Sequence, residues 1–213
     1  MVENNTPKTK EKRKSKIQEY IEAIIIAILI ALFIRTFVIA AYKIPSESMV
    51  PTLLVGDHLL VNKFIYGVKI PILRKIIIPI TDPKRDDIIV FIFPKDRSLD
   101  FIKRVIGVGG DKIEIKNKKI FINDEEYKDS HGVYTDNVIY PAAIQPRRDN
   151  FGPVIVPQGS LFVMGDNRDN SKDSRYWGFV DVKDVEGKAI ILYWSWNREE
   201  KTLRWKRMGK LLH

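Results

Sequence analysis

Two hydroxyls and one lysine are the side chains of this sequence best placed to do chemistry. Ser46 and Ser48 lie two residues apart in Tyr42-Lys-Ile-Pro-Ser-Glu-Ser-Met-Val-Pro-Thr-Leu53. Pro45 and Pro51 exclude helix there and leave the backbone extended or turning. A serine hydroxyl becomes a nucleophile when a neighbouring base takes its proton. The chain has only 3 histidines, His58, His131 and the terminal His213, so a Ser-His-Asp arrangement would have to use His58 or His131. A lysine is the other choice. Lys103 sits in Phe101-Ile-Lys-Arg-Val-Ile106, where strand alternation puts Phe101, Lys103 and Val105 on one face and Ile102, Arg104 and Ile106 on the other. A lysine in dry surroundings gives up its charge more easily and its amine can then accept a proton. Arg104 stays charged, so Lys103 is the candidate base and Arg104 is structural. Against this stand plainer readings: serine is common in turns, and both cations could snorkel to water from an edge strand.

A third stretch, Gly165-Asp-Asn-Arg-Asp-Asn-Ser-Lys-Asp-Ser-Arg-Tyr-Trp-Gly178, follows the apolar run Leu161 to Met164. Its Asp, Asn and Ser side chains can lock an irregular loop by bonding to its backbone. Arg168 and Arg175 can pair with Asp166, Asp169 or Asp173. A calcium loop does not fit, because from Asp166 or Asp169 neither a glycine at position six nor a glutamate at position twelve falls in place. A polar surface loop is the competing reading.

These residues need a scaffold. The 213-residue chain can hold one or two domains. It lacks cysteine, which removes disulfides and thiolate metal sites, and its few histidines form no metal-binding pair. Its net charge of +9 points to an anionic partner, nucleic acid or membrane surface. Residues 1–19 form a basic tail. Residues 20–41 are apolar without Pro or Gly, matching the roughly 20 residues that a membrane-spanning helix needs. Arg35 lies near the far end of this run and can snorkel. The run is longer than the h-region of a cleaved signal peptide, and bulky Tyr42 follows Ala40-Ala41, so it reads as a retained anchor. The basic side is expected to be cytoplasmic and the rest extracytoplasmic.

From residue 42 to 213 short strands dominate. Asp87-Ile-Ile-Val-Phe-Ile-Phe93 reads as a strand buried on both faces. Lys112 to Ile115 and Lys119 to Ile122 read as a hairpin around Asn117. Residues of about 115–153 make up this hairpin and a small irregular insertion, and Val185 to Trp196 forms a long strand. The fold class is mainly β: one transmembrane helix, then a coiled-sheet or barrel-like domain with a short insertion. In the basic, aromatic C-terminal stretch, at least one of Trp194, Trp196 and Trp205 is expected in the core.

The anchor, Pro-Ser-x-Ser-Met-x-Pro-Thr-Leu, Phe-Ile-Lys-Arg-Val-Ile-Gly and Gly-Asp-Asn-Arg-Asp-Asn-Ser-x-Asp-Ser-Arg occur in one order that resembles the bacterial type I signal peptidases, or leader peptidases. Gly56-Asp57 with Val61-Asn62-Lys63, and Trp177-Gly178, extend the likeness from about Ile34 to the C-terminal region. The resemblance implies a membrane-bound Ser-Lys endopeptidase that removes signal peptides from secretory preproteins, cutting after small residues. It implies Ser48 as nucleophile, Lys103 as general base, Ser46 and the Ser48 N–H as oxyanion donors, Ser171 orienting the lysine amine, and Asp173 with Arg175 as a supporting ion pair. Adjacency and the resemblance make Ile44, Leu53 and Ile102 walls of shallow substrate pockets. The phospholipid membrane is a partner; nucleic acid, metal and cofactor are not implied. Two positions depart from the pattern. Glu47 stands where many members have glycine, and Arg85-Asp86-Asp87 replaces the usual Arg-Gly-Asp. Two rival classes are a tethered basic binding module and a Ser-Lys self-cleaving regulator; regulators of that kind are soluble, and the anchor argues against one.

Overall fold

The described structure begins with a helix whose residues are all exposed. The computed structural model describes residues 15–69 and 76–212, so the basic tail up to residue 14 and His213 lie outside it. Helix α1, Lys16–Phe33, is started by Ser15, whose hydroxyl accepts from the Gln18 N–H while the Gln18 side chain accepts from the Ser15 N–H. No residue of α1 is buried. A π-helical turn, Ile34–Val38, prolongs it, giving a 23-residue apolar helical segment long enough to cross a membrane and spanning about 34 Å at 1.5 Å per residue.

The helix starts before the expected residue 20, and it stops before residue 41. Ile39–Lys43 form strand β1, paired antiparallel with β2, Asp57–Asn62, from Ile39 opposite Asn62 to Lys43 opposite His58. Composition does not separate the two states here, because an apolar run reads alike as helix and as buried strand; pairing with β2 decides. The apolar helix therefore runs into the sheet without a linker, and the serine loop leaves the other end of the same strand.

Strands β3, Val68–Lys69, and β4, Ile76–Ile78, make a small separate pair. The main sheet continues with β5, Ile88–Ile92, and β6, Asp100–Val108. All five residues of β5 are buried, as its unbroken apolar run predicts. Strands β7, Lys112–Lys116, β8, Lys119–Ile122, β9, Glu125–Glu126, and β10, Phe151–Ile155, form a four-stranded sheet in the order β10-β7-β8-β9. Its first hairpin turns at Asn117 and Lys118, both at positive φ, as a two-residue type I′ connection requires. The insertion is thus a compact second sheet, with its strands buried on the face toward Phe162 and Met164.

Strands β11, Ser160–Met164, β12, Val180–Asp181, β13, Val185–Asn197, and β14, Thr202–Leu203, complete the main sheet; the four-residue helix α2, Ser174–Trp177, lies between β11 and β12. The order is β1-β2-β13-β5-β6-β11-β12, with β14 on β13. Strand β13 carries two bulges against β2. Its inward position near the end is Ser195, whose hydroxyl donates to Asp57 at 2.6 Å, and alternation then turns Trp194 and Trp196 outward. Both are exposed, and Trp205 is 69% exposed. The expected core tryptophan is not among these three; Trp177 instead packs beside Phe91 and Phe93.

Candidate active site

Three segments distant in sequence converge at one end of β6. The first is the loop from Ile44 to Leu53, which turns through Val50 N–H to Glu47 O (3.1 Å) and Leu53 N–H to Met49 O (2.8 Å). Met49 and Leu53 bury themselves in the core with Ile44, Leu59 and Leu192, so the apolar residues of the loop anchor it. Ser46 and Glu47 stay exposed. Ser48 is 9% exposed.

The second segment is β6. Residues Asp100 to Arg104 pair with β5, and only from Arg104 onward does β11 take the other edge. Lys103 is 4% exposed. Its Nζ donates to Ser48 Oγ at 2.7 Å and to Ile102 O at 2.9 Å, and it lies 5.6 Å from the centre of the Phe101 ring. Burial pushes the amine down to about 8, against an opposing pull from the more distant carboxylates Asp173 and Asp166. Ser46 Oγ lies 3.4 Å from Ser48 Oγ.

The third segment is the loop after β11, and it explains why those carboxylates form no ion pair with the lysine. Asp166 is bound by Arg104 through Nε at 2.9 Å and Nη2 at 2.8 Å, and it accepts from the Thr52 hydroxyl at 2.6 Å. One buried carboxylate therefore ties the residue after Lys103 to the serine loop. Asp173 caps α2 and is held by Arg175 through Nε at 2.8 Å and Nη2 at 2.9 Å. Burial alone would raise the Asp173 carboxyl, but the Arg175 guanidinium outweighs it and holds the carboxyl below its usual range. The expected Asp173–Arg175 pair is present. Arg168 pairs outside its loop, with Asp129 at 2.5 Å, while Asp169 meets Arg148 at 3.0 Å and Lys118 at 3.2 Å. These partners come from the insertion, which no pattern within the loop could reveal.

Ser171 is buried beside the site; its hydroxyl lies by the Asp173 carboxylate and helps to hold it below its usual range, and it forms no hydrogen bond with Lys103. Gly165 explains the crowding. A Cβ there would meet both Ser171 Oγ and the Ser48 carbonyl oxygen at 2.3 Å, so only glycine permits this close approach of the loops. The Ser48 carbonyl in turn accepts from the Asn167 N–H at 3.1 Å. The departure at Asp86 is also accommodated. Asp86 adopts φ +74°, a backbone region that favours glycine. Its carboxylate takes a short hydrogen bond from the Tyr127 hydroxyl and its carbonyl accepts from Arg104 at 2.7 Å.

A cleft of about 520 Å³ opens at Ser48 and Lys103. Ile44 and Ile102 line it, as expected. Leu53 does not: its side chain faces the core, because the turn that follows Met49 points it inward. Tyr42, Val90 and Phe101 supply further apolar wall, and Lys43, Glu47, Asp100, Asn170 and Lys172 polar lining; none of these is among the pocket residues that the sequence suggests. Neither His58 nor His131 lines the cleft. His58 is on β2, paired across the strands with Lys43 and Trp194, and of the three candidate bases the side chain that contacts Ser48 is Lys103. Among the described residues no group of carboxylates and histidines is arranged to hold a metal ion.

Comparison with known proteins agrees with this arrangement. Residues 17–194 match the signal peptidase family, peptidase S26. The chain is 35% identical to Signal peptidase I of Buchnera aphidicola, covering 83% of this chain and 76% of that one. It is 37% identical to Signal peptidase I of Pseudomonas aeruginosa over 76% of this chain and 66% of that one. Against Signal peptidase I of Aquifex aeolicus it is 36% identical over 75% of this chain and 77% of that one. Ser48, Lys103 and the Gly165–Gly178 loop all lie inside the matched residues, and the chain belongs to the signal peptidase family, peptidase S26.

Proposed function

We propose that this protein is a membrane-anchored serine endopeptidase that removes signal peptides from secretory preproteins, with Ser48 as nucleophile and Lys103 as general base. The observation that carries the reading is the 2.7 Å contact between Lys103 Nζ and Ser48 Oγ, made by a lysine pushed down to about 8 by burial. Near neutral pH an appreciable fraction of such an amine is uncharged. It then accepts the Ser48 proton as Oγ attacks the scissile carbonyl. Ser46 Oγ and the Ser48 N–H are the donors to the developing oxyanion. The lysinium returns its proton to the leaving amine, and water, activated by the same lysine, hydrolyses the acyl-enzyme. Asp173–Arg175 holds the loop that packs Ser171 against Gly165 and Ser48, and on this reading Ser171 orients the lysine amine.

The edge of β6 that β11 leaves uncovered before Arg104 suits an extended substrate, which gains main-chain hydrogen bonds there and sends side chains toward Ile44 and Ile102. Small side chains before the scissile bond fit a wall so close to the nucleophile. In the same reading residues 1–19 are a cytoplasmic basic tail, the apolar helix is a single membrane anchor, and residues 42–213 are the extracytoplasmic catalytic domain. The entry of the anchor directly into β1 keeps Ser48 near the membrane surface, where a signal peptide would be presented. The test is incubation of the detergent-solubilised full chain with a secretory preprotein, followed by N-terminal sequencing of the product. A single new N-terminus after a small residue, absent with Ser48→Ala, is expected. Intact preprotein at high enzyme concentration would refute the reading.

A further inference from the structure

The cleft lining assigns a role to Glu47. Ile44, Val90, Phe101 and Ile102 give the cleft its apolar wall, and Lys43, Glu47, Asp100, Asn170 and Lys172 its polar lining; Glu47, beside Ser48, meets Asn170 of the loop after β11. A chain extended along β6 has a free edge only as far as Lys103, since β11 occupies the edge from Arg104 onward. Beyond the nucleophile it must leave the sheet and pass over the loops bearing Glu47 and Asn170. On the proposed reading, the signal peptide side is small and apolar and lies along β6 toward Ile44 and Ile102. The first residues of the released chain then pass beside Glu47 and Asn170.

Glu47 stands directly between the two hydroxyls. Its backbone is fixed: its carbonyl accepts from the Val50 N–H at 3.1 Å and from Asn167 Nδ2 at 3.3 Å. Its side chain is exposed in the cleft. Among the described residues its carboxylate makes no ion pair, and it accepts one long bond, from Asn170 Nδ2 at 3.4 Å. A fixed backbone with an uncompensated charge at the cleft is an electrostatic filter rather than a structural brace. Lys43 and Lys172 are opposing charges of the same lining, both exposed, and neither forms an ion pair with Glu47 among the described residues. Lys172 belongs to the loop after β11, whereas Glu47 is adjacent to the reacting serine.

We propose that Glu47 is a specificity-determining residue that favours a cationic and disfavours an acidic side chain in the first two positions after the scissile bond. This rests on the endopeptidase reading above. The experiment uses the full chain in detergent and preprotein variants carrying Lys, Gln or Glu at those two positions. The readout is the ratio of kcat/KM for the Lys and Glu substrates. The wild-type ratio should favour Lys by about three- to fivefold at low salt, the size of an exposed ion pair, and should shrink in 0.5 M salt as screening shortens to roughly 4 Å. Glu47→Gln should bring the ratio close to one, and Glu47→Lys should invert it. An unchanged ratio in Glu47→Gln, with all substrates still cut, overturns the role of Glu47 alone. Failure of every enzyme form to cut the Gln substrate overturns the endopeptidase reading and this inference with it.

Discussion

Among the described residues two lysines, Lys103 and Lys118, are nearly buried, and they are treated in opposite ways. Lys118, in the β7–β8 turn, is surrounded by carboxylates: Asp136 at 3.1 Å, Asp169 at 3.2 Å and Asp149 at 3.9 Å. Lys103 contacts a hydroxyl, a carbonyl and an aromatic ring instead. Its nearest carboxylates, Asp166 and Asp173, are each bound to an arginine. A buried ammonium with carboxylate partners keeps its charge and ties segments together; one without them is pushed toward the neutral amine. Lys118 joins the insertion to the loop that carries Asp169. Lys103 is left uncompensated, and arginines on both neighbouring carboxylates keep it so.

The sharpest break of this comparison is catalytic. Ser48→Ala and Lys103→Arg should each lower kcat by about 10⁴-fold or more, because nucleophile and base act as a unit and guanidinium does not accept the proton. Combining them should add little further loss. Lys118→Met should retain turnover within about tenfold of wild type. Measurable turnover by Lys103→Arg would remove Lys103 from the role of base. The next effect separates Ser46 from the dyad: Ser46→Ala should lose about 10²–10³ in kcat with KM little changed, as for one oxyanion donor. A rise in KM with kcat intact would make Ser46 a binding residue.

Stability should move in opposite directions at the two lysines. Lys103 has a folded value of about 8 against 10.5 for the free side chain, so between these pH values the unfolded chain binds more protons and stability rises with pH. Below about pH 8 both states are protonated and the folded state bears the full penalty, at most about 3 kcal/mol. Lys103→Met should therefore stabilise the full chain near pH 7, with the gain fading as pH approaches 10.5. Lys118→Met should destabilise it by about 2 kcal/mol, less than the loss of a fully buried pair because Arg148 still serves Asp149 and Asp169. Denaturant titrations at several pH values measure both. A destabilised Lys103→Met at pH 7 would mean that the lysine is held charged.

The smallest effect is the most diagnostic. Phe101 lies two residues before Lys103 on the same face, so Phe101→Glu would give Lys103 a carboxylate like those around Lys118. The activity of the wild type should rise with pH through about 8 as the amine loses its proton. In the Glu variant that limb should move upward by about one pH unit, roughly the effect of one nearby opposite charge. The limb position is read from kcat/KM against pH, independently of any change in absolute rate. An unmoved limb would show that the titrating group is not Lys103.

Much of the site was legible in the sequence, and the reasons differ by residue. Ser48 and Lys103 stood out because a constrained loop and an apolar strand are local features. The hairpin at Asn117 and the unbroken run of β5 were equally local. Leu53 was misplaced because adjacency to a serine says nothing about which way a turn sends the next side chain. The outward tryptophans of β13 depend on bulges against β2 and on the Ser195–Asp57 bond, and no alternation count within the strand could set their facing. At Asp86 the departure from glycine left the turn open, and a Tyr127 from the second sheet and the Arg104 guanidinium hold it.

The amino-acid sequence by itself determined the elements: an apolar helix before a β domain, two prolines bracketing two serines, one lysine inside an apolar strand. Those follow from composition and spacing over a few residues, where backbone sterics and hydrophobic period act. Tertiary structure alone decided which groups meet. It brought Lys103 within 2.7 Å of Ser48 across 55 positions of chain, assigned Asp166 to Arg104 and Asp173 to Arg175, and sent Arg168 to Asp129. Pairing of buried charges is set by the whole surrounding geometry and by the cost of leaving any of them uncompensated, and neither quantity is written in the order of residues along one segment.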